Sequence, residues 1–340
     1  MLKSKSYLWN PWSRSFLKKK LQNEDFSRIT LSFYAYVPIA DPSTLRDSLF
    51  AKLNDFAVLG RIYVATEGIN AQISVPQQHM DKVGDLVRDY FGDVLINLAA
   101  TQRDVSFIKL IIKVRHHIVA GGEDGLDMSR VGKHLDARQW HHVMDDKDAV
   151  VVDVRNVYEY EVGHFRGALR MKTDTFRDQC RKLPELLRPY KSQKILLYCT
   201  GGIRCEKVSA MLLSQDFCQV YQLRGGITHY KKQIDQQGLE SRFVGKNFVF
   251  DQRLGERITE DVIARCHCCG TPCDTHTNCE WEGCHILFIQ CPACQEKWGG
   301  CCSETCHKKS LLPQEKKRFL LKFFPQKVSR YKSLSPSLGK

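Results

Sequence analysis

A cysteine at the start of a short glycine-bearing loop is the feature of this chain best suited to chemistry. Cys199 follows the apolar run Lys194–Tyr198 and precedes a helix-like segment, Cys205–Leu213, so it opens a strand-to-helix loop. Backbone N–H groups of such a loop and the positive end of the helix converge on the sulfur and lower its pKa. The pattern predicts a cysteine-based enzyme. The loop residues are Thr200, Gly201, Gly202 and Ile203.

Residues around the loop are candidates for supporting it. Arg204 ends the loop, where its charge either supports a bound sulfur or phosphate or pairs with a nearby acid. Asp153 and Arg155 end a strand predicted to lie beside the loop, and an ion pair between them would brace it. Cys205 is either a resolving thiol or a packed core residue, and core packing is favoured.

Short apolar strands alternate with helices between residues 129 and 240. The clearest strands are Ala149–Val154, Ile195–Tyr198 and Val220–Leu223. Nearly continuous apolar runs are typical of a parallel sheet covered by helices on both faces. Because such sheets carry their sites at the carboxyl ends of strands, this α/β domain would place Cys199 at that edge.

A different pattern, βαββαβ, occupies residues 29–120. It predicts a ferredoxin-like (acylphosphatase-like) α+β domain whose antiparallel sheet has helices on one face. A turn is predicted at Glu67-Gly68-Ile69-Asn70. Glu67 and Asn70 are candidates for contacting a substrate in the Cys199 pocket, although tight-turn chemistry explains this segment equally. The predicted elements are strands Ile29–Val37, Val58–Ala65 and Ala71–Val75, one or two further strands within Phe107–Val119, and helices 41–54 and 78–91.

Cysteines are concentrated near the end of the chain, where 11 of the 15 lie between Cys266 and Cys306. Cys266-x-x-Cys269 and Cys291-x-x-Cys294 match the two halves of a zinc ribbon, in which Zn²⁺ supplies folding energy. Without a secretion signal, such clustering favours metal ligation over disulfides or an iron–sulfur cluster. Candidates for a second site, with unassigned pairing, are Cys268, Cys273, Cys279, Cys284, His285, Cys301, Cys302 and Cys306.

The net charge of +13 is located at the two ends. Residues 1–20 carry six Lys/Arg and no acid, and residues 308–340 carry ten Lys/Arg against one acid. Basic arms bind nucleic-acid backbones through counterion release, although a solvated tail that aids solubility explains them equally. Aromatic residues between the C-terminal charges favour RNA, on whose bases they would stack. These residues are Phe319, Phe323, Phe324 and Tyr331.

Composition and length indicate a globular protein of two or three domains, with 340 residues of which 43% are hydrophobic. No window approaches 18 uninterrupted apolar residues, so no membrane span is expected. The N-terminus lacks a signal-peptide apolar core, which predicts a cytoplasmic protein. The predicted parts are a basic arm (1–28), a ferredoxin-like domain (29–120), an α/β domain (129–240), a connector (241–262), a Cys-rich module (263–307) and a basic tail (308–340).

Several segments, in order, resemble the rhodanese domain. They are Val151–Arg155, Tyr158–Ala168, Tyr198–Arg204 and Leu223–Ile227. In rhodaneses the cysteine that opens the loop carries a persulfide, and the matching position is Cys199. Phosphatases of this fold have a loop one residue longer, which suits a tetrahedral oxyanion. The shorter loop between Cys199 and Arg204 is therefore expected to hold a terminal sulfur atom.

Further segments resemble the bacterial tRNA uridine-34 hydroxylases of the rhodanese superfamily, over roughly residues 29–307. They are Ala65–Ala71, Gly202–Lys207, Phe243–Asp251 and Cys266–Cys273. The resemblance implies hydroxylation of the wobble uridine of tRNA to 5-hydroxyuridine, with O₂ as co-substrate and the anticodon region as the bound part. The basic ends of the chain fit a tRNA ligand independently.

The sequence shows no 2-His-1-carboxylate pattern and no flavin fingerprint that would activate oxygen. One route is addition of the Cys199 thiolate or persulfide to C6 of uracil, which activates C5 towards oxygen. Two alternatives stay open. One is a rhodanese-type sulfurtransferase that passes sulfur from Cys199 to a thiol acceptor or to tRNA. The other is a non-catalytic RNA-binding protein whose rhodanese domain is a scaffold.

Overall fold

The computed structural model describes residues 12–99, 105–121, 125–171, 173, 175–323 and 331. Along these residues an α+β domain, an α/β domain with a parallel sheet and a Cys-rich module follow one another, which confirms the predicted fold class. None of the helices in this described part has the length and apolar character needed to cross a membrane. Residues 1–11, Phe324, the side chain of Phe323 and residues 332–340 lie outside the described part.

The N-terminal domain is a five-stranded sheet with two helices on one face. Leu31, Phe33 and Ala35 alternate along the first strand and are buried in a core with both helices. The strands run in the order β4-β1-β3-β2-β5, and β5 is parallel to β2 whereas the other pairs are antiparallel. These elements are β1 (Arg28–Tyr36), α2 (Pro42–Asp55), β2 (Leu59–Ala65), β3 (Gly68–Pro76), α3 (Met80–Phe91), β4 (Asn97–Leu98) and β5 (Leu110–Val114).

One local prediction in this domain is wrong. The predicted turn at residues 67–70 is confined to Thr66 and Glu67, and β3 already begins at Gly68. Gly68 has a φ of 144°, and a Cβ there would lie 1.9 Å from the Ala35 carbonyl oxygen, so close strand pairing requires glycine. Residues 107–119 contain one strand, β5. The predicted basic arm also contains a helix, α1 (Arg14–Gln22), capped by Ser13.

The central domain has a parallel sheet covered on both faces, as predicted. Val152 and Leu197 pack into one core and Val151 and Leu196 into another, so alternate residues of each strand are buried on opposite faces. The strand order is β6-β11-β10-β7-β9. The elements are β6 (Lys133–Leu135), α4 (Ala137–Met144), β7 (Ala149–Asp153), α5 (Val157–Val162), β9 (Leu169–Arg170), α6 (Phe176–Leu187), β10 (Lys194–Tyr198), α7 (Ile203–Ser214), β11 (Val220–Leu223) and α8 (Gly226–Gln237).

The C-terminal region is joined to the central domain by β-pairing. Residues 241–262, predicted as a connector, contain β12 (Phe243–Asn247) and β13 (Glu256–Arg257), and β12 pairs with the short strand β8 (Gly163–Phe165). The basic tail contains a helix whose Leu320 and Leu321 pack on the Cys-rich module. The remaining elements are β14 (His276–Asn278), β15 (Leu287–Ile289), α9 (Pro292–Trp298), α10 (Glu304–Ser310) and α11 (Gln314–Phe323).

Tyr331, predicted as one of several RNA-stacking residues, is buried instead. Its side chain is 3% exposed, its ring packs near Tyr158 and His267, and its hydroxyl bonds Glu161. The ring and the hydroxyl of Tyr331 therefore contact residues within the protein. Phe319 is 57% exposed.

Candidate active site

The loop at Cys199 is a backbone cradle at the N-terminus of α7. Cys199 directly follows β10, and its Sγ accepts a hydrogen bond of 3.1 Å from the backbone N–H of Gly202. Gly202 has a φ of 100° and is the N-cap of α7. A Cβ at Gly202 would lie 2.7 Å from the Tyr34 hydroxyl, so glycine serves both the loop conformation and the close approach of Tyr34.

The electrostatics of this cradle favour a thiolate on Cys199. Complete burial raises the pKa of the thiol, but several contacts outweigh it and bring the pKa down from 9.0 to about 6. These contacts are a hydrogen bond from the Cys205 thiol, the charge of Arg204, and the N–H groups of Arg204 and Gly202. Burial and the same hydrogen bond raise the pKa of Cys205. At neutral pH Cys199 is therefore ionised while Cys205, packed in the core, keeps its proton.

Arg204 is held by an acid that sequence reasoning did not single out. Its guanidinium makes a bidentate pair with Glu159, with Nη1–Oε1 at 2.6 Å and Nη2–Oε2 at 2.7 Å, and the Thr200 hydroxyl donates to the same carboxylate at 3.2 Å. Glu159 is fully buried. The ion-pair alternative for Arg204 is thus what the geometry shows, and its charge still acts on Cys199. The capping-box spacing of Asn156 and Glu159 was the available signal.

Asp153 and Arg155 form a buried ion pair beneath the loop. The Arg155 Nη2–Asp153 Oδ2 distance is 2.7 Å, and the same Nη2 donates to the Gly163 carbonyl at 2.6 Å. Asp153 is the β-ladder partner of Tyr198, the residue before Cys199. The pair therefore fixes the strand ends that carry the loop rather than touching the sulfur.

A cavity of about 1070 Å³ opens between the loop and the N-terminal sheet. Cys199, Thr200 and Arg204 line it on one side, and the helix-free face of the sheet lines it on the other. The start of α6 and the segment from Val249 to Arg253 complete the walls. Cys199 of the central domain therefore faces a cavity that neither domain encloses alone.

Glu67 and Asn70 have separate positions relative to this cavity. The Glu67 carboxylate pairs with the Lys207 ammonium at 2.9 Å and accepts the Ile118 N–H at 2.8 Å. Asn70 lines the cavity, where its Nδ2 donates to the Ile118 carbonyl at 3.0 Å and its Oδ1 accepts from Gln72. Glu67 holds the two domains together, whereas Asn70 lies on the wall that a ligand would meet.

Charged residues on the first turn of α7 hold the N-terminal sheet against the loop. The carboxylate of Glu206 accepts from the Tyr34 hydroxyl at 2.9 Å and from Gln222 at 2.9 Å. Tyr36 donates to the Ile203 carbonyl at 3.1 Å. Sequence reasoning missed Glu206 and Lys207 as docking residues. The available signal was two adjacent charged residues directly after the cysteine loop, on a helix whose other residues are mostly buried.

Two cysteine clusters could each hold a metal ion. In the first, Cys266, Cys269, Cys291 and Cys294 have their Sγ atoms within 4.8 Å of one another, with Cys269–Cys291 at 3.6 Å. In the second, the Cys284–Cys302 and Cys302–Cys306 sulfurs are 3.7 Å apart. Four sulfurs that bind a metal tetrahedrally, each at a metal–sulfur distance of about 2.3 Å, lie about 3.8 Å from one another. The two sulfurs of a disulfide are only about 2.05 Å apart. The second cluster consists of Cys279, Cys284, Cys302 and Cys306.

The predicted second ligand set was too broad. Cys273 accepts the backbone N–H of Thr275 and lies in neither cluster. Cys301 is fully buried beside Cys302 but its sulfur is not among the four, because neighbouring residues project in different directions. Cys268 and His285 are likewise outside both groups.

Comparison with known proteins matches most of the chain. Three family models match the chain. The UPF0176 acylphosphatase like domain matches residues 28–118, the Rhodanese-like domain matches residues 136–233, and the model named Rhodanase C-terminal matches residues 244–307. Among solved structures, the Alr3790 protein from Anabaena sp. has a TM-score of 0.26 at 23% identity over 33% of this chain and 91% of its own, too weak a likeness to support an inference.

Curated relatives cover the chain almost completely. A tRNA uridine(34) hydroxylase of Escherichia fergusonii is 50% identical over 318 residues, which are 92% of this chain and 91% of the relative. One of Leptospira interrogans is 49% identical over 319 residues, 93% of this chain and 87% of the relative. The resemblance found in the sequence is confirmed, and the chain belongs to the tRNA uridine(34) hydroxylase family.

Proposed function

We propose that this protein hydroxylates uridine 34 of tRNA to 5-hydroxyuridine with O₂ as co-substrate. The observation that carries the proposal is a cysteine with a pKa of about 6 on the wall of a cavity of about 1070 Å³. Small-molecule sites span roughly 300–1,000 Å³, so this space accommodates a nucleotide with its adjoining backbone. The names of the relatives specify tRNA and uridine 34.

Binding of the anticodon region of tRNA is part of this proposal. An enzyme that acts on a base must take it out of its stack and into a pocket, and single-stranded loops yield their bases most readily. The basic helix α1 is tied to the cavity rim because Arg14 donates to the Gln252 side chain at 3.0 Å, between the cavity-lining Asp251 and Arg253. The predicted cytoplasmic location fits a tRNA ligand.

Cys199 supplies the nucleophile in the proposed reaction. Its sulfur adds to C6 of uracil, as thiolate or as persulfide, and the C5–C6 π electrons move to the O4 enolate. C5 then becomes the electron-rich carbon that bonds to O₂, and protonation gives a hydroperoxide on C5. A thiol acts as the two-electron reductant: it takes the distal oxygen as a sulfenic acid and leaves a hydroxyl group on C5. Loss of the C5 proton and departure of the sulfur restore the ring. The residues around Cys199 support this role by keeping sulfur ionised at neutral pH.

Zn²⁺ is the metal we propose for both cysteine clusters. Four thiolates without an open position are the donor set of structural zinc, which adds folding energy. The first cluster packs in one core with Val162 and Phe248, and Tyr158 of that core lines the cavity. Zinc in the first cluster would stabilise the part of the cavity wall that contains Tyr158, without taking part in the reaction.

Nucleoside mass spectrometry of tRNA tests the function directly. A deletion strain should lack 5-hydroxyuridine and its derivatives, wild-type protein should restore them, and Cys199→Ala should not. Cys218→Ala, at an exposed thiol away from the cavity, is the matched control.

A rhodanese-type sulfurtransferase is the second candidate, favoured by the N–H cradle around Cys199. Sulfur release from thiosulfate with unchanged tRNA nucleosides would favour it over hydroxylation. If the deletion strain kept its 5-hydroxyuridine and Cys199→Ala had no effect on sulfur release, both enzymatic functions would fall and an RNA-binding protein would remain.

A further inference from the structure

We propose that the helix-free face of the N-terminal sheet is a binding site for single-stranded RNA. On this face, Tyr63 would stack on the base next to the target uridine while Arg61 and Arg115 bind the adjoining phosphates. The proposal rests on the proposed function for the identity of the RNA. It assigns the site to a domain that carries no part of the cysteine loop.

The strand register places the relevant side chains in one row. Asn70 is the ladder partner of Tyr34 on one side and of Tyr63 on the other. Tyr34 and Tyr63 therefore lie two strand spacings apart, roughly 10 Å, on the same face of the sheet. In the neighbouring row, Gln72 pairs with Ser32 and with Arg61. All six side chains line the cavity.

The central domain forms hydrogen bonds with the tyrosines at the β1 end of the sheet face. Tyr34 and Tyr36 bond Glu206 and Ile203 of α7, so the β1 side of the face is fixed beside the Cys199 loop. The β2 side, which carries Tyr63, also lines the cavity, and its Tyr63 and Arg61 take no part in these hydrogen bonds to α7. A base at Cys199 would therefore leave the next nucleotide of the strand over Tyr63.

The chemistry of the β2 side is that of an RNA-binding sheet. The Arg115 guanidinium lies 5.7 Å from the Tyr63 ring centroid, so a cation and an aromatic ring act at one point. Within the described residues neither Arg61 nor Arg115 forms an ion pair, and the six side chains of the two rows include no acid. Aromatic side chains on an open sheet face, flanked by arginines, bind bases and backbone of single strands without reading sequence.

Binding of a labelled anticodon stem-loop RNA containing the target uridine tests the site. Tyr63→Ala should raise its Kd about tenfold, since stacking on a ring is lost, whereas Tyr63→Phe should stay within about twofold of wild type. Arg61→Gln and Arg115→Gln should each lower the slope of log Kd against log salt by about 0.7, the value for one phosphate on a single strand.

Arg88→Gln is the control because that exposed arginine lies on α3, on the opposite side of the sheet. Circular dichroism melting of every variant separates lost binding from lost folding. If Tyr63→Ala proves unfolded, the salt slopes of the arginine variants still decide. Unchanged Kd in folded Tyr63→Ala and unchanged slopes in both arginine variants would overturn the site while hydroxylation stands. A wild-type protein that binds no RNA would remove the site and the proposed function together.

Discussion

The Lys207 ammonium lies 2.9 Å from the Glu67 carboxylate, and this contact joins the helix that carries the cysteine loop to the turn between β2 and β3. The Lys207 side chain is 2% exposed and also donates to the Gly121 carbonyl at 3.3 Å. The N-terminal and central domains are therefore connected through a charge with almost no access to water. The position of the loop relative to the N-terminal sheet depends on this pair.

Lys207→Met should loosen the domains, because it leaves the Glu67 carboxylate without its cation. We expect unfolding stability to fall by about 2 kcal/mol, below the 3–5 kcal/mol of fully buried pairs because Glu67 is partly solvated. Urea denaturation followed by tryptophan fluorescence measures the loss. Lys231→Ala removes an exposed pair with Asp235 and should cost under about 1 kcal/mol. Equal losses in the two variants would contradict the docking role.

Glu159→Gln should be more disruptive, because the buried Arg204 guanidinium then loses its bidentate partner. The expected loss is about 3–5 kcal/mol. The double variant Glu159→Gln, Arg204→Met removes the stranded charge and should recover part of that loss, which a double-mutant cycle of denaturation measurements would show. A double variant no more stable than Glu159→Gln would count against the pair.

The pH dependence of alkylation at Cys199 reports its thiolate. Since the thiolate is the reactive form and its pKa is about 6, the rate with iodoacetamide should rise with pH to a plateau, with a midpoint near 6. Cys205→Ala removes a hydrogen-bond donor to the thiolate and should move the midpoint upward. Cys205→Ser keeps a donor and should stay near wild type. Peptide mass spectrometry assigns the label to Cys199, and a midpoint unmoved in Cys205→Ala would refute this role of Cys205.

Metal analysis distinguishes neighbouring cysteines. Protein purified under reducing conditions should contain about two zinc ions per chain, one for each cluster of four sulfurs. Cys269→Ser should lose one of them, whereas Cys268→Ser, at the adjacent exposed position, should lose none. Fewer than about half an equivalent in wild type would end the zinc proposal.

The sequence predicted those strands and helices that depend mainly on neighbouring residues in the chain. The strand Val220–Leu223 has the predicted limits, because four apolar or β-forming residues between turns need no distant information. Partners distant in sequence were not predictable in this way. Strand β12 exists because it pairs with the three residues of β8, and Glu206 is buried because Tyr34 approaches it from another domain. Both features depend on contacts between segments that are distant in the sequence. A local hydrophobic pattern carries no information about such contacts.

The N-terminal sheet also limits access to the cradle, because it forms one wall of the cavity in front of Cys199. Cys199 has no exposed surface, and its approach is through the cavity between the two domains. A partner that stays outside this cavity cannot contact the sulfur. Access to Cys199 is therefore determined by the two domains together rather than by the cradle alone.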